Sequence, residues 1–301
     1  MEKLIIRALA LYFRSLAVLA PRLAGRQAYW LFSRPRWRKA VPAKAVDVMA
    51  RADRFDVRVE GLRVAAYAWA GEPTESGEPR PRVMLVHGWE SRAGRLAVWV
   101  DPLLAAGFDV VAFDAPAHGE SEGKTANPAL VIEAMNAIVE RNGPITAYVG
   151  HSLGGLAALL ASCGCELVSS EGLSAERLVI LAGAESGVDA MAMFCDIVGL
   201  GEGFLPLLLA GAGKEAGRPV ADFDVHRHFP SRPVPTLWLH DPEDPEVPFK
   251  GAERVAALCP EVRLERVEGL GPHLIARDQN MIQRGLEFLA DLPEQVNRTA
   301  A

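Results

Sequence analysis

The fold of this chain is decided by one stretch, Tyr148-Val149-Gly150-His151-Ser152-Leu153-Gly154-Gly155, which contains a G-x-S-x-G pattern. Residues 145–149 are mostly apolar and favour a strand, whereas residues 156–161 are strong helix formers. A serine at such a joint is a candidate nucleophile whose Oγ points away from the sheet. The glycines on either side remove the Cβ atoms that would keep strand and helix apart. The alternative is a chance match in a glycine-rich chain, and the flanking strand and helix argue against it.

Length and composition indicate one globular domain. The 301 residues can bury a single large core, and the alternation of strand and helix patterns favours one α/β domain over two. Apolar residues make up 50% of the chain and charged residues 23%, as is usual for globular proteins. The net charge of −6 does not indicate a nucleic-acid partner. The four cysteines have neither zinc-site spacing nor the density of a disulfide framework, which favours a reducing compartment.

Residues 1–45 form a basic N-terminal segment that differs in charge from the rest of the chain. Lys3, Arg7 and Arg14 fall on one narrow face of a predicted helix whose other positions are mostly apolar. This helix is too short and too charged for a comfortable membrane span, and a good signal-peptide cleavage site is missing. Three alternatives stay open: docking on the rest of the protein, contact of residues 1–40 with a membrane surface, or a cleaved or spanning segment. We expect a cytoplasmic protein, either free or peripheral at the inner membrane face.

From about residue 55 onward, the chain alternates strands and helices. The first two predicted strands flank a turn at Glu60-Gly61, and a helix starts at Pro128 with Asn127 as its N-cap. Further strands are predicted from apolar runs at 83–86, 109–113, 177–182, 236–240 and 262–267, and a closing helix at 281–292. This pattern predicts an α/β fold with a mostly parallel sheet covered by helices on both faces.

An insertion interrupts the alternation. One strand is predicted to end near Ala184 and the next to start near Pro235. The alternation of strands and helices does not require the roughly fifty residues between them, which are rich in large apolar side chains. We expect residues 187–230 to form a small helical lid over the carboxyl edge of the sheet, where open α/β folds bind ligands. Met191 and Phe194 are then candidate substrate-binding residues. The alternative for each of them is an ordinary place in the core.

A serine nucleophile needs a base and a group that orients the base, and the chain offers both downstream. Asp241 and Asp244 follow the strand predicted at 236–240, and His273 follows the strand predicted at 262–267. The resulting order along the chain is serine, aspartate, histidine.

Five segments together resemble the α/β-hydrolase superfamily over residues 55–292. They are the Gly150–Gly154 pattern, His87-Gly88-Trp89, Asp114–Ser121, the Asp244–Pro248 turn and Gly271-Pro272-His273. The resemblance implies that Ser152 is the nucleophile, His273 the general base and then acid, and Asp244 the carboxylate that orients it. It also implies an oxyanion hole formed by the backbone N–H groups of Trp89 and Leu153. Two departures from the family pattern are Ala117, which affects a loop, and Asp241, which adds a second carboxylate near the acid.

The function we predict is a serine hydrolase that cleaves a carboxylic ester with a short or medium acyl chain through an acyl-enzyme. Trp89 and His151 join Met191 and Phe194 as predicted substrate-binding residues. Alternatives are a thioesterase, amidase or peptidase of the same fold, or a non-catalytic binding protein. Glycine patterns for nucleotide cofactors are absent from the sequence, and His226 and His228 are not spaced as metal ligands, so we expect neither a cofactor nor a metal.

Overall fold

The computed structural model describes residues 2–74, 78–164, 173–217 and 219–291, and a single eight-stranded sheet organises them. The strands are β1 (Asp53–Val59), β2 (Leu62–Trp69), β3 (Arg82–Val86), β4 (Asp109–Phe113), β5 (Ala147–His151), β6 (Arg177–Leu181), β7 (Thr236–His240) and β8 (Val262–Arg266). Their order across the sheet is β1-β2-β4-β3-β5-β6-β7-β8. The pairs β1–β2 and β2–β4 are antiparallel and the remaining five pairs are parallel, so the prediction of a mostly parallel sheet is confirmed.

The antiparallel edge starts with the predicted hairpin. Glu60 and Gly61 both have a positive φ, 47° and 80°, as a two-residue turn with the twist of its flanking strands requires. Val57 and Val64 lie opposite each other in this hairpin and both are buried. Glycine suits the second turn position because it has no Cβ to oppose the left-handed conformation.

Helices cover both faces of the sheet. The main-body helices are α3 (Val46–Ala50), α4 (Val100–Ala105), α5 (Pro128–Asn142), α6 (Leu153–Ser162), α10 (Phe249–Leu258), α11 (Gly271–Leu274) and α12 (Gln279–Ala290). Side chains of α5, α6 and α10 pack on one face, and those of α4 and α12 pack on the other. The Asn127 side chain accepts a 2.9 Å hydrogen bond from the Leu130 N–H, as the predicted cap requires. The closing helix begins and ends two residues earlier than predicted, and Leu292 lies outside the described residues.

The insertion between β6 and β7 is helical. Its helices are α7 (Gly187–Val198), α8 (Leu205–Ala216) and the short α9 (Val225–His228). The N-terminal segment forms two further helices, α1 (Glu2–Leu19) and α2 (Pro21–Phe32), which pack on this insertion. We call α1, α2, α7 and α8 together the cap. A separate apolar core holds the cap together, with Phe13, Tyr29, Met191, Phe204 and Leu208 among its buried members.

The N-terminal segment therefore follows the docking alternative, with the predicted lid as its docking site. The Phe13 ring of α1 meets the Phe204 ring edge-on at 5.9 Å, and only 3% of Phe13 is exposed. Of the expected basic face, Arg7 is exposed, whereas the Arg14 guanidinium donates to the Gly199 carbonyl oxygen after α7 and so takes part in the docking. In the described part of the chain, no helix has the length and apolar character needed to cross a membrane.

Two glycines set how closely α2 and α8 approach. A Cβ on Gly25 would lie 2.0 Å from the Leu207 carbonyl oxygen, and a Cβ on Gly211 would lie 2.4 Å from the Gly25 carbonyl oxygen. Both distances are far inside van der Waals contact, and both neighbours are backbone atoms that cannot rotate away. The helices can pack at this distance only because both positions lack a side chain.

We predict that Gly25→Ala lowers the free energy of unfolding by about 1–2 kcal/mol. Overpacking costs about 1–3 kcal/mol, and because the clash here is with backbone atoms we place the cost at about 2–3 kcal/mol, which outweighs the gain of about 1 kcal/mol from replacing a helical glycine by alanine. Urea unfolding of both proteins measures the difference. The matched control is Gly203→Ala, because a Cβ at Gly203 meets no atom within 4 Å. Equal stability of the two variants would contradict the close crossing.

Candidate active site

Ser152 occupies the turn between β5 and α6 in a backbone conformation that non-glycine residues rarely adopt. Its φ is 51° and its ψ is −119°. Such a conformation costs on the order of 1–3 kcal/mol and is found where the surrounding structure enforces it, often at functional sites. The flanking glycines permit the turn: a Cβ on Gly154 would lie 2.1 Å from the Val86 carbonyl oxygen, and one on Gly150 would lie 2.8 Å from Gly155 Cα. The predicted strand, serine and helix thus meet as the pattern requires.

Ser152 opens into a cleft of about 2280 Å³ between the main body and the cap. This exceeds the roughly 300–1,000 Å³ of a usual small-molecule pocket. Seven of the predicted site residues line the cleft: Trp89, His151, Ser152, Leu153, Met191, Phe194 and His273. Asp244 lies below the surface of the cleft with its side chain buried.

His273 lies at the start of α11, and 69% of its side chain is exposed. Its Nε2 is 3.4 Å from Oε1 of Glu246, a carboxylate that is itself 50% exposed. Among the described residues, no hydrogen bond joins His273 to Ser152 or to Asp244. The structure brings Ser152 and His273 to the same cleft, but it does not bring the three predicted catalytic side chains into contact.

Asp244 is held by its own turn. Its Oδ1 accepts backbone hydrogen bonds from the N–H groups of Glu246 at 2.7 Å and Val247 at 2.9 Å. Its Oδ2 is buried and has no hydrogen-bond partner among the described residues, since His240 Nε2 lies 3.7 Å away and contacts the Val247 carbonyl oxygen. A buried carboxylate oxygen without a partner is costly, so this atom is an available acceptor for an N–H donor.

Asp241 has a different role from Asp244. Its Oδ1 accepts a hydrogen bond from the Glu243 N–H at 3.0 Å, and its Oδ2 accepts one from the Gly271 N–H at 2.8 Å. Burial acts to raise the pKa of Asp241, but backbone N–H donors in residues 243 and 269–271 outweigh burial and lower it. The carboxylate therefore connects the end of β7 to the turn that carries His273.

Two buried histidines brace the loops around Ser152. His151 Nε2 lies 2.6 Å from the Pro272 carbonyl oxygen, next to His273, and burial lowers the pKa of His151 to about 4. His87 Nε2 accepts a 2.9 Å hydrogen bond from the Ala115 N–H, and burial lowers the pKa of His87 to about 3. Both rings are neutral at neutral pH, so they hold loops in place without adding charge to the cleft.

Phe32, at the end of α2, is a lining residue that the sequence analysis did not identify. Its ring stacks on Trp89 with centroids 6.2 Å apart and planes 11° apart, and it meets the edge of Phe194 at 5.5 Å. Nothing in the local pattern around Phe32 distinguishes it from a core aromatic.

The basic residues after Phe32 anchor the N-terminal segment to the loops beside Ser152. Arg36 pairs with the Glu90 carboxylate, with Nε 3.1 Å from Oε1. The Arg38 guanidinium donates to backbone carbonyl groups of the loop at residues 118–123. From the sequence Arg36 and Arg38 belong only to a basic segment, because their carboxylate and carbonyl partners lie more than fifty positions away along the chain.

Residues 83–282 match the model of the alpha/beta hydrolase family, which is more than half of the chain. The chain belongs to this family. The resemblance predicted from the five sequence segments is therefore confirmed.

Curated relatives and solved structures agree with this membership. Pimeloyl-(acyl-carrier protein) methyl ester esterase from Xanthomonas axonopodis pv. citri (strain 306) is 25% identical over 247 residues, which are 71% of this chain and 96% of the relative. The enzyme of that name from Xanthomonas campestris pv. campestris (strain B100) is 26% identical over 250 residues, with the same coverage. An esterase structure from Pyrococcus furiosus superposes with a TM-score of 0.60 at 20% identity, covering 84% of this chain and 96% of that one, which shows a shared fold.

Proposed function

We propose that this protein is a serine hydrolase that cleaves a carboxylic ester through an acyl-enzyme. The observation that carries the proposal is the backbone of Ser152, which presents the serine on a strained turn in the cleft between the main body and the cap. The methyl ester esterases from Xanthomonas support a carboxylic ester as the bond that is cleaved. The substrate we propose is a small-molecule ester.

In the proposed mechanism, Ser152 Oγ attacks the ester carbonyl carbon while His273 takes its proton. The backbone N–H groups of Leu153 and Trp89 stabilise the oxyanion that forms. His273 then donates the proton to the departing alkoxide, and an acyl group remains on Ser152. A water molecule activated by His273 cleaves this acyl-enzyme and frees the serine.

Asp244 is the acid we propose to orient His273, although Glu246 is its neighbour in the structure. Glu246 is half exposed, so water screens its attraction for an imidazolium ion. Asp244 combines one oxygen held by two backbone N–H groups with a second buried oxygen free to accept. A hydrogen bond from an imidazole N–H stabilises a buried carboxylate of this kind more than it stabilises an exposed one. In this mechanism His273 leaves Glu246 and turns inward when the cleft is occupied.

The first test is Ser152→Ala. We expect it to abolish both ester turnover and covalent labelling by a fluorophosphonate, because the attacking oxygen is gone, whereas the smaller side chain leaves the turn intact. Losing the nucleophile costs on the order of 10⁶ in kcat in serine hydrolases of this mechanism. Circular dichroism and thermal unfolding serve as controls for the fold. Turnover retained by Ser152→Ala would refute the mechanism.

The second test separates the three carboxylates near His273. We expect Asp244→Asn to lower kcat by about 10⁴, because the amide favours the wrong imidazole tautomer. Asp241→Asn should cost far less, since it acts only through the turn at Gly271, and Glu246→Gln should leave kcat unchanged or raise it. Steady-state kinetics on one aryl ester compares all three variants. A larger loss in Asp241→Asn or Glu246→Gln than in Asp244→Asn would reassign the acid.

We further propose that residues 1–40 contact an anionic membrane surface on the cytoplasmic side. The outward side of the α1–α2 junction carries Val18 and Leu19, each 83% exposed, and Arg22, with Arg7 exposed further along α1. Exposed apolar side chains beside arginines are typical of helices that lie in the interface of an anionic bilayer. Packing of α1 against the insertion does not compete with this contact, because Phe13, Leu9 and Leu16 of α1 face the insertion while Val18 and Leu19 are exposed.

We expect the full-length protein to sediment with phosphatidylglycerol vesicles and to be released by salt, because charges are screened over about 10 Å at 0.1 M ionic strength. The double variant Val18→Asp, Leu19→Asp should no longer bind. The matched control is Leu258→Asp, which changes a leucine that is 52% exposed on α10 of the main body and should bind as before. Full-length protein that ignores these vesicles at low salt would contradict the proposal.

A further inference from the structure

The cleft continues from Ser152 into the cap, and its character changes along the way. On the side of the serine its lining includes the polar side chains of His273 and Glu246. Within the cap, α1 and α7 line it mainly with apolar side chains, among them Ile6, Leu9, Met193 and Val198, whereas α2 and α8 add the polar side chains of Arg26, Gln27 and Glu215. A ligand that reaches from Ser152 along the wall formed by α1 and α7 therefore needs a polar group at the serine and an apolar part against that wall.

Phe32 connects these two regions. Its ring stacks on Trp89, whose neighbour Gly88 lies so close to Ser152 that an added Cβ would be 2.9 Å from the serine Cβ. The same ring contacts Phe194 of α7 on its other side. Phe32 thus lies between the serine and the apolar region, and it belongs to the N-terminal segment.

We propose that the N-terminal helices form part of the substrate site and that the cleft binds a long, unbranched acyl chain. The carboxyl carbon of this chain lies at Ser152, and its tail passes Phe32 and ends between Leu9 of α1 and Met193 of α7. This rests on the proposed ester hydrolase, and it replaces the short or medium acyl chain predicted from the sequence with a chain at least as long as laurate. The inference is carried by the apolar side chains that two separate parts of the chain, α1 and α7, contribute to one continuous cleft with Ser152.

A bulky residue at the far end of the cleft should shorten the chain that fits. We expect Leu9→Trp to lower the ratio of kcat/KM for p-nitrophenyl laurate to that for p-nitrophenyl butyrate by about tenfold or more, the effect of removing space for a few methylene groups. Met193→Trp, on α7, should lower the same ratio. The second variant is needed because Leu9→Trp could lower the ratio by disturbing the packing of α1, whereas Met193 lies on a different helix.

The matched control is Leu11→Trp, the same change on the same helix. Leu11 is 70% exposed and is not part of the cleft lining, so its ratio should equal that of the parent protein. A laurate-to-butyrate ratio that is unchanged in both Leu9→Trp and Met193→Trp, or lowered equally in Leu11→Trp, would overturn the inference.

Binding of laurate, measured by calorimetry in a Ser152→Ala background, separates this inference from the proposed function. We expect laurate to bind the parent background and to bind at least about tenfold more weakly after Leu9→Trp, but not after Leu11→Trp. If the parent protein turns over no ester but laurate binding is still weakened by Leu9→Trp, the proposed ester hydrolase is wrong and the proposed acyl site is supported. If esters are turned over but laurate binding ignores Leu9, the acyl site is wrong and the hydrolase stands.

Discussion

The close approach of α6 to the end of β3 is the constraint on which the rest of this structure depends. Gly154 lies against the Val86 carbonyl oxygen, where a Cβ would be only 2.1 Å away, and Gly150 lies against Gly155. A side chain at either position would push α6 off the sheet and relax the turn between them. Because the turn is tight, Ser152 is held with a positive φ, and the loops after β3, β7 and β8 can surround it.

Close backbone packing at glycines also occurs in the cap. Gly25 and Gly211 let α2 and α8 meet backbone to backbone, which brings the end of α2 over the cleft. Phe32 then reaches both Trp89 and Phe194, and Arg36 and Arg38 tie the following residues to loops beside the site. Gly150 and Gly154 thus determine the position of Ser152 in the cleft, and Gly25 and Gly211 determine the position of α2 above it.

Several buried polar side chains around Ser152 hold the surrounding loops in place, and the buried histidines among them are uncharged. His87 and His151 stay neutral because burial lowers their pKa values, and each is hydrogen-bonded to a neighbouring loop. Asp241 keeps its charge through backbone N–H donors and fixes the turn that carries His273. Asp244 differs from these groups, since one of its buried oxygens has no partner in the described structure. The proposed movement of His273 toward Asp244 would give this oxygen its partner.

The sequence by itself determined the sheet, the strand–serine–helix joint and the family, because these depend on local patterns: apolar runs of strand length, glycines at the two sides of Ser152, and an Asn-Pro helix start. It also located the residues that line the cleft from the main body, since they follow the ends of strands that a parallel sheet brings together. Only the tertiary structure decided where His273 points, because its neighbour Glu246 is brought close by the packing of two turns. Only the tertiary structure placed the N-terminal helices on the insertion and Phe32 in the cleft. Contacts between residues so far apart in the chain depend on matching surfaces, and a pattern of apolar and basic positions on one helix does not specify which surface it will cover.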